Sequence, residues 1–379
     1  MRVLDADGHI FEPEAMFAHL DDELHPRRPV VLRLPTDTEY GDVNSAWMVE
    51  GKLFPKIPGS GQTIFFLPGS ERSLRAGASV GDQTLEDVDA RLRGLDRFHI
   101  DQQVVFPTMF LVSAVEDVKL EGALFQAYNS FVSEACAKSN GRLKWAALVP
   151  FRDPEAAVKE IQRASDLGAA GVFTLGAVFD RQLSDPDFAP IYDAASELDL
   201  PLCVHLGWGS PAATQLFSQY SFFCSAIVPV IWGFTAIMAS GLLARFPKLR
   251  VGFVETGAEW IPYAINQVRR SYKPPTVLRD QAIQGERRRL RTGINRDLYR
   301  DPAEWFREGR AFVTCELDED LPYLLQYVGE DALMLSSDYP HGDPSADETY
   351  VEKLQMRDEI PEGVKAKLLG ENASRFFRL

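Results

Sequence analysis

The chain has 379 residues, 45% of them hydrophobic and 25% charged, with a formal net charge of −15. This is the composition of an ordinary water-soluble folded protein, and its acidic balance argues against a nucleic-acid partner. The four cysteines (Cys136, Cys203, Cys224 and Cys315) lack C-x-x-C spacing and read as reduced residues of a cytoplasmic protein. Met1 to Asp5 carries no apolar leader, and the most apolar stretch, Phe222 to Ala239, contains Ser225, Pro229 and Gly233, so no membrane partner is expected.

In chain order, residues 3–7 predict a short buried strand. From Phe11 to about Gly81 the pattern breaks into prolines, glycines and scattered aromatics. That stretch is too long for an ordinary connection and too apolar for disorder, so an ordered insertion over something functional is expected. Asp82 to Phe98 predicts a helix, with Val88, Leu92 and Leu95 at helical spacing. Gln103–Pro107 is a second strand, Leu120–Lys138 a helix and Leu143–Val149 a third strand. Asp153 and Pro154 supply the cap and first-turn proline of a helix running to Leu167. Gly171–Thr174 is a fourth strand, Pro190–Leu198 a helix and Pro201–His205 a fifth strand. A long aromatic segment then merges into a helix at Ile237–Ala244. Arg250–Glu255 is a sixth strand, Ile261–Tyr272 a helix and Lys273–Glu304 an irregular polar insertion. Ala311–Cys315 and Ala332–Ser336 are the last two strands, either side of a helix at Leu321–Val328, and the tail from Tyr350 to Phe377 reads as helical.

Eight short apolar strands alternating with helices imply an α/β chain folded as a closed (β/α)₈ TIM barrel. We expect a single domain over residues 1–379, with ordered insertions after strand one (about 12–81) and between strands six and seven (273–305). A doubly wound open sheet is the alternative, disfavoured because no Gly-rich phosphate loop follows the first strand.

In such a barrel the chemistry sits at the C-terminal strand ends. Asp7 and His9 are two apart, so an extended strand points both to one face. Strand five ends in His205, strand six in Glu255, and strand eight runs into Ser336-Ser337-Asp338-Tyr339-Pro340-His341. Taken singly, each has an ordinary reading: a hydrogen-bonded core imidazole for His205, a turn residue for Asp338, a helix cap for Glu255. Two imidazoles and two carboxylates converging on one rim suit a borderline cation such as Zn²⁺, with Mn²⁺ or Fe²⁺ as alternatives.

Asp7-Gly8-His9, Val204-His205 and Ser337-Asp338-Tyr339-Pro340-His341 resemble motifs of the amidohydrolase superfamily. Together with Leu198-Asp199-Leu200-Pro201, Arg245-Phe246-Pro247 and Glu255-Thr256-Gly257, they resemble the amidohydrolase-related branch that contains aminocarboxymuconate semialdehyde decarboxylase and benzoate-type decarboxylases. The resemblance implies one divalent ion, held by Asp7, His9, His205 and Asp338. A second ion is not expected, because strand four, Gly171 to Thr174, has no bridging lysine. At the end of strand six the well-studied decarboxylases carry histidine, whereas this chain has Glu255. That residue is expected to orient or deprotonate a metal-bound water, to carry a proton, or to be a further ligand. With Asp338 it forms the expected catalytic pair.

Trp208 is expected to wall the pocket, and His341 to face substrate or support Asp338. Arg72 and Arg75, in the first insertion, could fork a substrate carboxylate or be solvated surface charge. The activity implied is non-oxidative decarboxylation of a small unsaturated or aromatic carboxylic acid. Metal-dependent hydrolysis of an amide, ester, lactone or activated C–C bond is the alternative, and a non-catalytic metal-binding scaffold a third. The branch also implies a homodimer, for which Leu216–Trp232 could supply a contact or else line the pocket.

Overall fold

Strands buried on both faces are written as continuous apolar runs, and that is how the centre of this molecule is built. The computed structural model describes residues 2–33, 37, 45–54, 79–217, 222–272, 298–342 and 345–379; Arg72 and Arg75 lie outside them. Eight strands form one sheet: β1 (Leu4–Ile10), β2 (Gln102–Pro107), β3 (Leu143–Leu148), β4 (Gly171–Leu175), β5 (Leu202–His205), β6 (Val251–Val254), β7 (Ala311–Thr314) and β8 (Leu333–Met334). They lie side by side in chain order, paired in parallel. Ala6 N donates to Leu335 O at 3.2 Å and Asp338 N to Asp7 O at 3.0 Å, which joins the β8 end to β1 and closes a (β/α)₈ barrel. Val104, Phe106, Val172, Val204, Phe253 and Val313 are buried along its strands.

Helices after the strands complete the units, among them Val118–Ala137, Pro154–Asp166, Ala189–Glu197, Trp260–Tyr272 and Leu321–Val328. Asp117, Asp153 and Asp320 each cap a helix by accepting from backbone N–H groups of its first turn. The described part of the first insertion holds an antiparallel meander of Val30–Arg33, Ser45–Val49 and Lys52–Phe54.

Three elements differ from the sequence expectation. The helix expected over 82–98 is two, Val80–Gln83 and Val88–Arg97. Leu85 takes a left-handed φ of 56° between them, and Asp87 starts the second by accepting from Ala90 N. The helix expected at 237–244 begins much earlier, as a π turn over Phe223–Ile227 continuing into Val228–Ser240. Pro229 falls at that junction, where its missing N–H interrupts the ladder and the π turn gives way to α. Phe223–Ser240 is long and apolar enough to cross a membrane by length and composition; here Val230, Phe234 and Ile237 are buried, while Leu216, Phe222, Phe223 and Trp232 are exposed. Finally, Pro302–Arg307, which begins inside the stretch read as irregular, is a helix capped by Asp301. It carries the same Asp-Pro start signal as Asp153-Pro154.

Polar contacts buried between the strands fix the first strand against its neighbours. The Asp5 carboxylate accepts from Ser337 N (2.8 Å), Ser337 Oγ (2.5 Å) and Gln103 Nε2 (2.8 Å), so it ties β1 to both sides of the seam. Arg91 is wholly buried and donates to Asp82 Oδ1 (2.8 Å), Gln103 Oε1 (2.9 Å) and His9 O (2.9 Å). Arg91→Ala would strand the Asp82 carboxylate and two further acceptors away from water. We expect it to cost about 3–5 kcal/mol of stability in urea denaturation, with Arg91→Lys recovering only part, since an ammonium cannot reach three partners arranged for a guanidinium. A loss under about 1 kcal/mol, the scale of an exposed ion pair, would show that this network does not hold the seam.

Candidate metal centre

The strands deliver five side chains to one point inside the C-terminal rim. Asp7 and His9 face inward from β1, and His205 is the last residue of β5. Glu255 and Asp338 follow β6 and β8 in left-handed backbone, at φ 61° and 53°. A non-glycine residue costs about 1–3 kcal/mol there, and the surroundings hold both in place: Glu255 N donates to Thr314 Oγ1 at 2.8 Å and Asp338 N to Asp7 O at 3.0 Å.

His9 Nε2 lies 3.3 Å from Asp7 Oδ1, 3.5 Å from Glu255 Oε2 and 3.4 Å from Asp338 Oδ1. His205 Nε2 is 3.2 Å from Asp7 Oδ1. All five residues are buried. The spacings exceed the 2.7–2.9 Å of a strong charge-assisted hydrogen bond. They match atoms that share a cation, since two ligands each about 2.1 Å from an ion and 90–109° apart sit roughly 3.0–3.4 Å from each other.

The imidazoles are prepared for that role. His9 Nδ1 is 2.9 Å from Pro107 O and His205 Nδ1 is 2.9 Å from Leu206 O. A carbonyl only accepts, so each Nδ1 carries a proton, which leaves Nε2 as the ring atom turned to the cluster and able to ligate an ion. Asp7 Oδ2 is buried with no hydrogen-bond partner among the described residues, an expensive arrangement unless a cation completes it. The donor set therefore fits a divalent ion. Asp7, His9, His205 and Glu255 form one group able to hold an ion, and His9, Glu255, Asp338 and His341 another that overlaps it.

Of the residues expected around the pocket, His341 is buried beside Asp338, its Nδ1 2.9 Å from Asp338 Oδ1 and its ring stacked on His9 at 3.9 Å. Trp208 is half-buried, donates from Nε1 to Ser225 Oγ at 3.1 Å and meets Phe222 edge-on. Ser345 was not legible in the sequence: its Oγ lies 3.4 Å from Glu255 Oε1 and 3.3 Å from Asp338 Oδ2. A cavity of about 490 Å³ reaches Glu255 and Ser345 and continues past Thr314, Asp347 and Arg357. Its volume is in the range of small-molecule sites.

Electrostatics set the charge of the centre. Burial by itself pushes the Asp7 carboxyl up, but His205 and His9 outweigh it and hold Asp7 at about 2. Burial likewise pushes His9 down, and Asp7 and Glu255 outweigh it and hold His9 at about 10. In the metal-free protein at pH 8, His9 thus carries a second proton that an incoming ion must displace. Because its folded pKa is raised, His9 stabilises the metal-free fold fully below its unfolded value, about 6.5, and loses that contribution as pH rises through about 10. We expect a bound Zn²⁺ or Mn²⁺ to release about one proton and its affinity to rise about tenfold per pH unit between pH 7 and 9. Calorimetric titration in buffers of different ionisation heat measures both; an affinity flat with pH would contradict this charge assignment.

The amidohydrolase family model matches residues 5–379. The curated 2-amino-3-carboxymuconate-6-semialdehyde decarboxylase of Dictyostelium discoideum is 25% identical over 319 residues, 79% of this chain and 78% of that one. Among solved structures, an amidohydrolase from Mycobacterium avium subsp. paratuberculosis matches with a TM-score of 0.75 at 19% identity, over 99% of both chains. A 5-carboxyvanillate decarboxylase from Novosphingobium aromaticivorans, complexed with manganese and 4-hydroxy-3-methoxy-5-nitrobenzoic acid, matches with a TM-score of 0.70 at 17% identity, over 100% of this chain and 96% of that one. With a closed barrel, a rim of imidazoles and carboxylates, and a family model matching almost from end to end, this chain belongs to the amidohydrolase family.

Proposed function

We propose that the protein is a mononuclear metal-dependent decarboxylase of a small unsaturated or aromatic carboxylic acid. The observation that carries the reading is the gathering of Asp7, His9, His205 and Glu255 at one buried site, with Asp338 Oδ1 3.4 Å from His9 Nε2, beside a cavity that Glu255 lines and that is large enough for such an acid. The likeness to decarboxylases over most of the chain supports it. Asp7, His9, His205 and Asp338 would hold the ion, which supplies positive charge to the substrate's carboxylate and a neighbouring oxygen. From the sequence Zn²⁺ was favoured; the third carboxylate, Glu255, makes the donor set richer in oxygen and brings Mn²⁺ level with it.

The protein's own groups then handle one proton. The carbon that loses CO₂ must gain a proton, and Asp338 is a carboxyl that touches both His9 and Ser345. Asp338 delivers the proton to that carbon, the C–C bond breaks, its electron pair restores the unsaturated system, and CO₂ leaves. Ser345 Oγ, between Asp338 Oδ2 and Glu255 Oε1, offers a path by which Glu255 returns a proton to Asp338. Exclusion of water by the buried walls strengthens each of these charge interactions.

A second reading, hydrolysis, is favoured by one observation: Glu255 Oε2 lies 3.5 Å from both His9 Nε2 and His205 Nδ1. A carboxylate so placed can take a proton from water. The two readings part on their products. Mn²⁺- or Zn²⁺-loaded protein, given carboxyl-¹³C hydroxybenzoates and unsaturated acids, should release labelled CO₂, and Asp338→Asn should lower kcat by about 10²–10⁴-fold. Entry of ¹⁸O from water into a product carboxylate without CO₂ would establish the hydrolase instead. Inertness of metal-replete protein towards both substrate classes would leave a binding scaffold.

A further inference from the structure

Asp338 leaves β8 in left-handed backbone, at φ 53°, a conformation uncommon for a residue with a side chain. That turn decides where the carboxylate points, because Cβ moves with the backbone about Cα. The neighbours on either side show what holds it. Ser337, Asp338 and Tyr339 are all buried. Ser337 Oγ accepts from Tyr339 N at 3.1 Å, so one hydroxyl closes a short loop around Asp338. The same hydroxyl donates to Asp5 Oδ2 at 2.5 Å, and Ser337 N donates to Asp5 Oδ1 at 2.8 Å. A hydroxyl has one proton and two lone pairs. With the proton committed to the carboxylate on β1, the lone pairs are left for Tyr339 N. Backbone bonds anchor the turn around this latch: Asp338 N donates to Asp7 O at 3.0 Å, His9 N to Tyr339 O at 2.7 Å and His341 N to Asp338 O at 2.8 Å.

We propose that Ser337, its hydroxyl oriented by Asp5, is a positioning residue of the metal centre: it latches the left-handed turn that aims Asp338 at His9 and Ser345. Asp338 Oδ1 then lies 3.4 Å from His9 Nε2 and Asp338 Oδ2 3.3 Å from Ser345 Oγ. The inference rests on the reading that Asp338 helps to hold the ion. Without the hydroxyl, the buried Tyr339 N–H loses its acceptor, which is an unfavourable state for an amide away from water. The turn relieves this by rotating Tyr339 N elsewhere, and Asp338 relaxes towards the ordinary negative-φ region. That rotation carries Cβ and the carboxylate away from His9. Asp7, His9 and His205 stay where they are, because their strands are paired with neighbours in the barrel. One ligand is therefore lost from a set that is otherwise intact.

Ser337→Ala removes the latch, and Ser337→Thr keeps the hydroxyl while crowding the same space. Ser139→Ala is the control. Ser139 is equally buried, and its Oγ donates to Cys136 O at 2.6 Å and accepts from Leu143 N at 2.9 Å. It lies just before β3, at the opposite end of the barrel from the rim. Both alanine variants thus lose a buried hydroxyl with the same kind of contacts. Zn²⁺ and Mn²⁺ affinities of the full chain come from competition with a chromogenic chelator, melting temperatures report stability, and crystal structures of the metal-free proteins report the backbone at residue 338. We expect Ser337→Ala to bind both ions about 10–100-fold more weakly, the scale for partners behind a metal ligand, with Asp338 turned away from His9. Ser337→Thr should bind both ions as the wild type does, even where its extra methyl lowers the melting temperature. Ser139→Ala should lose a similar amount of stability as Ser337→Ala and none of the affinity. Wild-type affinity in Ser337→Ala would overturn the proposal. So would Ser337→Thr binding as weakly as Ser337→Ala, since packing and not the hydroxyl would then matter, or an equal loss in Ser139→Ala, which would make the effect one of stability. If the wild-type protein binds neither ion, the metal reading fails, and the crystal structures still decide the latch: Asp338 unmoved in Ser337→Ala overturns it, and Asp338 turned away upholds it.

Discussion

Three carboxylates crowd one buried point in this protein, and the rest of the structure answers to their mutual repulsion. Asp7, Glu255 and Asp338 each approach His9 Nε2 within 3.3–3.5 Å. In a low-dielectric interior such a group of like charges is strongly unfavourable unless positive charge sits among them. Without an ion, the balance is met by protons drawn onto imidazole, which is why His9 is held far above its ordinary value. A divalent cation meets it better, with two charges at the centre and no proton to lose. The barrel makes the crowding possible. Its strands are fixed by backbone ladders on both sides, so no single side chain can relax outwards to escape.

Holding the rim rigid takes further buried acids, used in a consistent way. Asp5 on β1 accepts from Ser337 in the loop after β8. Glu12, just past β1, accepts from the backbone after β2. Glu319, after β7, accepts from Ala258 N and Glu259 N in the loop after β6 and from Glu316 N in its own. Each is a carboxylate inside the fold that takes N–H groups from a neighbouring loop, and burial pushes each pKa up, Asp5 to about 6 and Glu12 to about 7. A carboxylate suits this because its two oxygens can accept from two amides at once. Two of the loops so fixed carry candidate ligands: Asp338 after β8 and Glu255 after β6.

Glu255 shapes the chemistry on offer. Its Oε2 joins the cluster while its Oε1 faces Ser345. Two carboxylates, Glu255 and Asp338, therefore share one hydroxyl on the side where the cavity opens. That arrangement can cycle a proton between a substrate carbon and solvent, and can equally activate water. The surrounding fold does not choose between these outcomes; the substrate that fits the cavity does.

Burial is a local property, and it was legible in the sequence. Runs such as Gln103-Val104-Val105-Phe106-Pro107 and Ala311 to Cys315 marked the strands, because a strand covered on both faces has no room for polar alternation. The polar residues closing those runs, Asp7, His9, His205, Glu255 and Asp338, stood out for the same reason, and the structure gathers them. Where local signals were misread, the signal was still present: Asp301-Pro302 begins a helix as Asp153-Pro154 does. Partnership across the barrel is not local. Thr108 is an unremarked threonine after a proline until ring closure sets it against Glu12, 96 residues before it, and His341, 233 residues after it. Ser345 acquires meaning only between Glu255 and Asp338. Apolar periodicity was therefore enough to set the strands and point to the candidate ligands, whereas the choice of hydrogen-bond partner, which sets the tautomers of His9 and His205, was made by tertiary structure, because it depends on which distant loops the closed sheet makes neighbours.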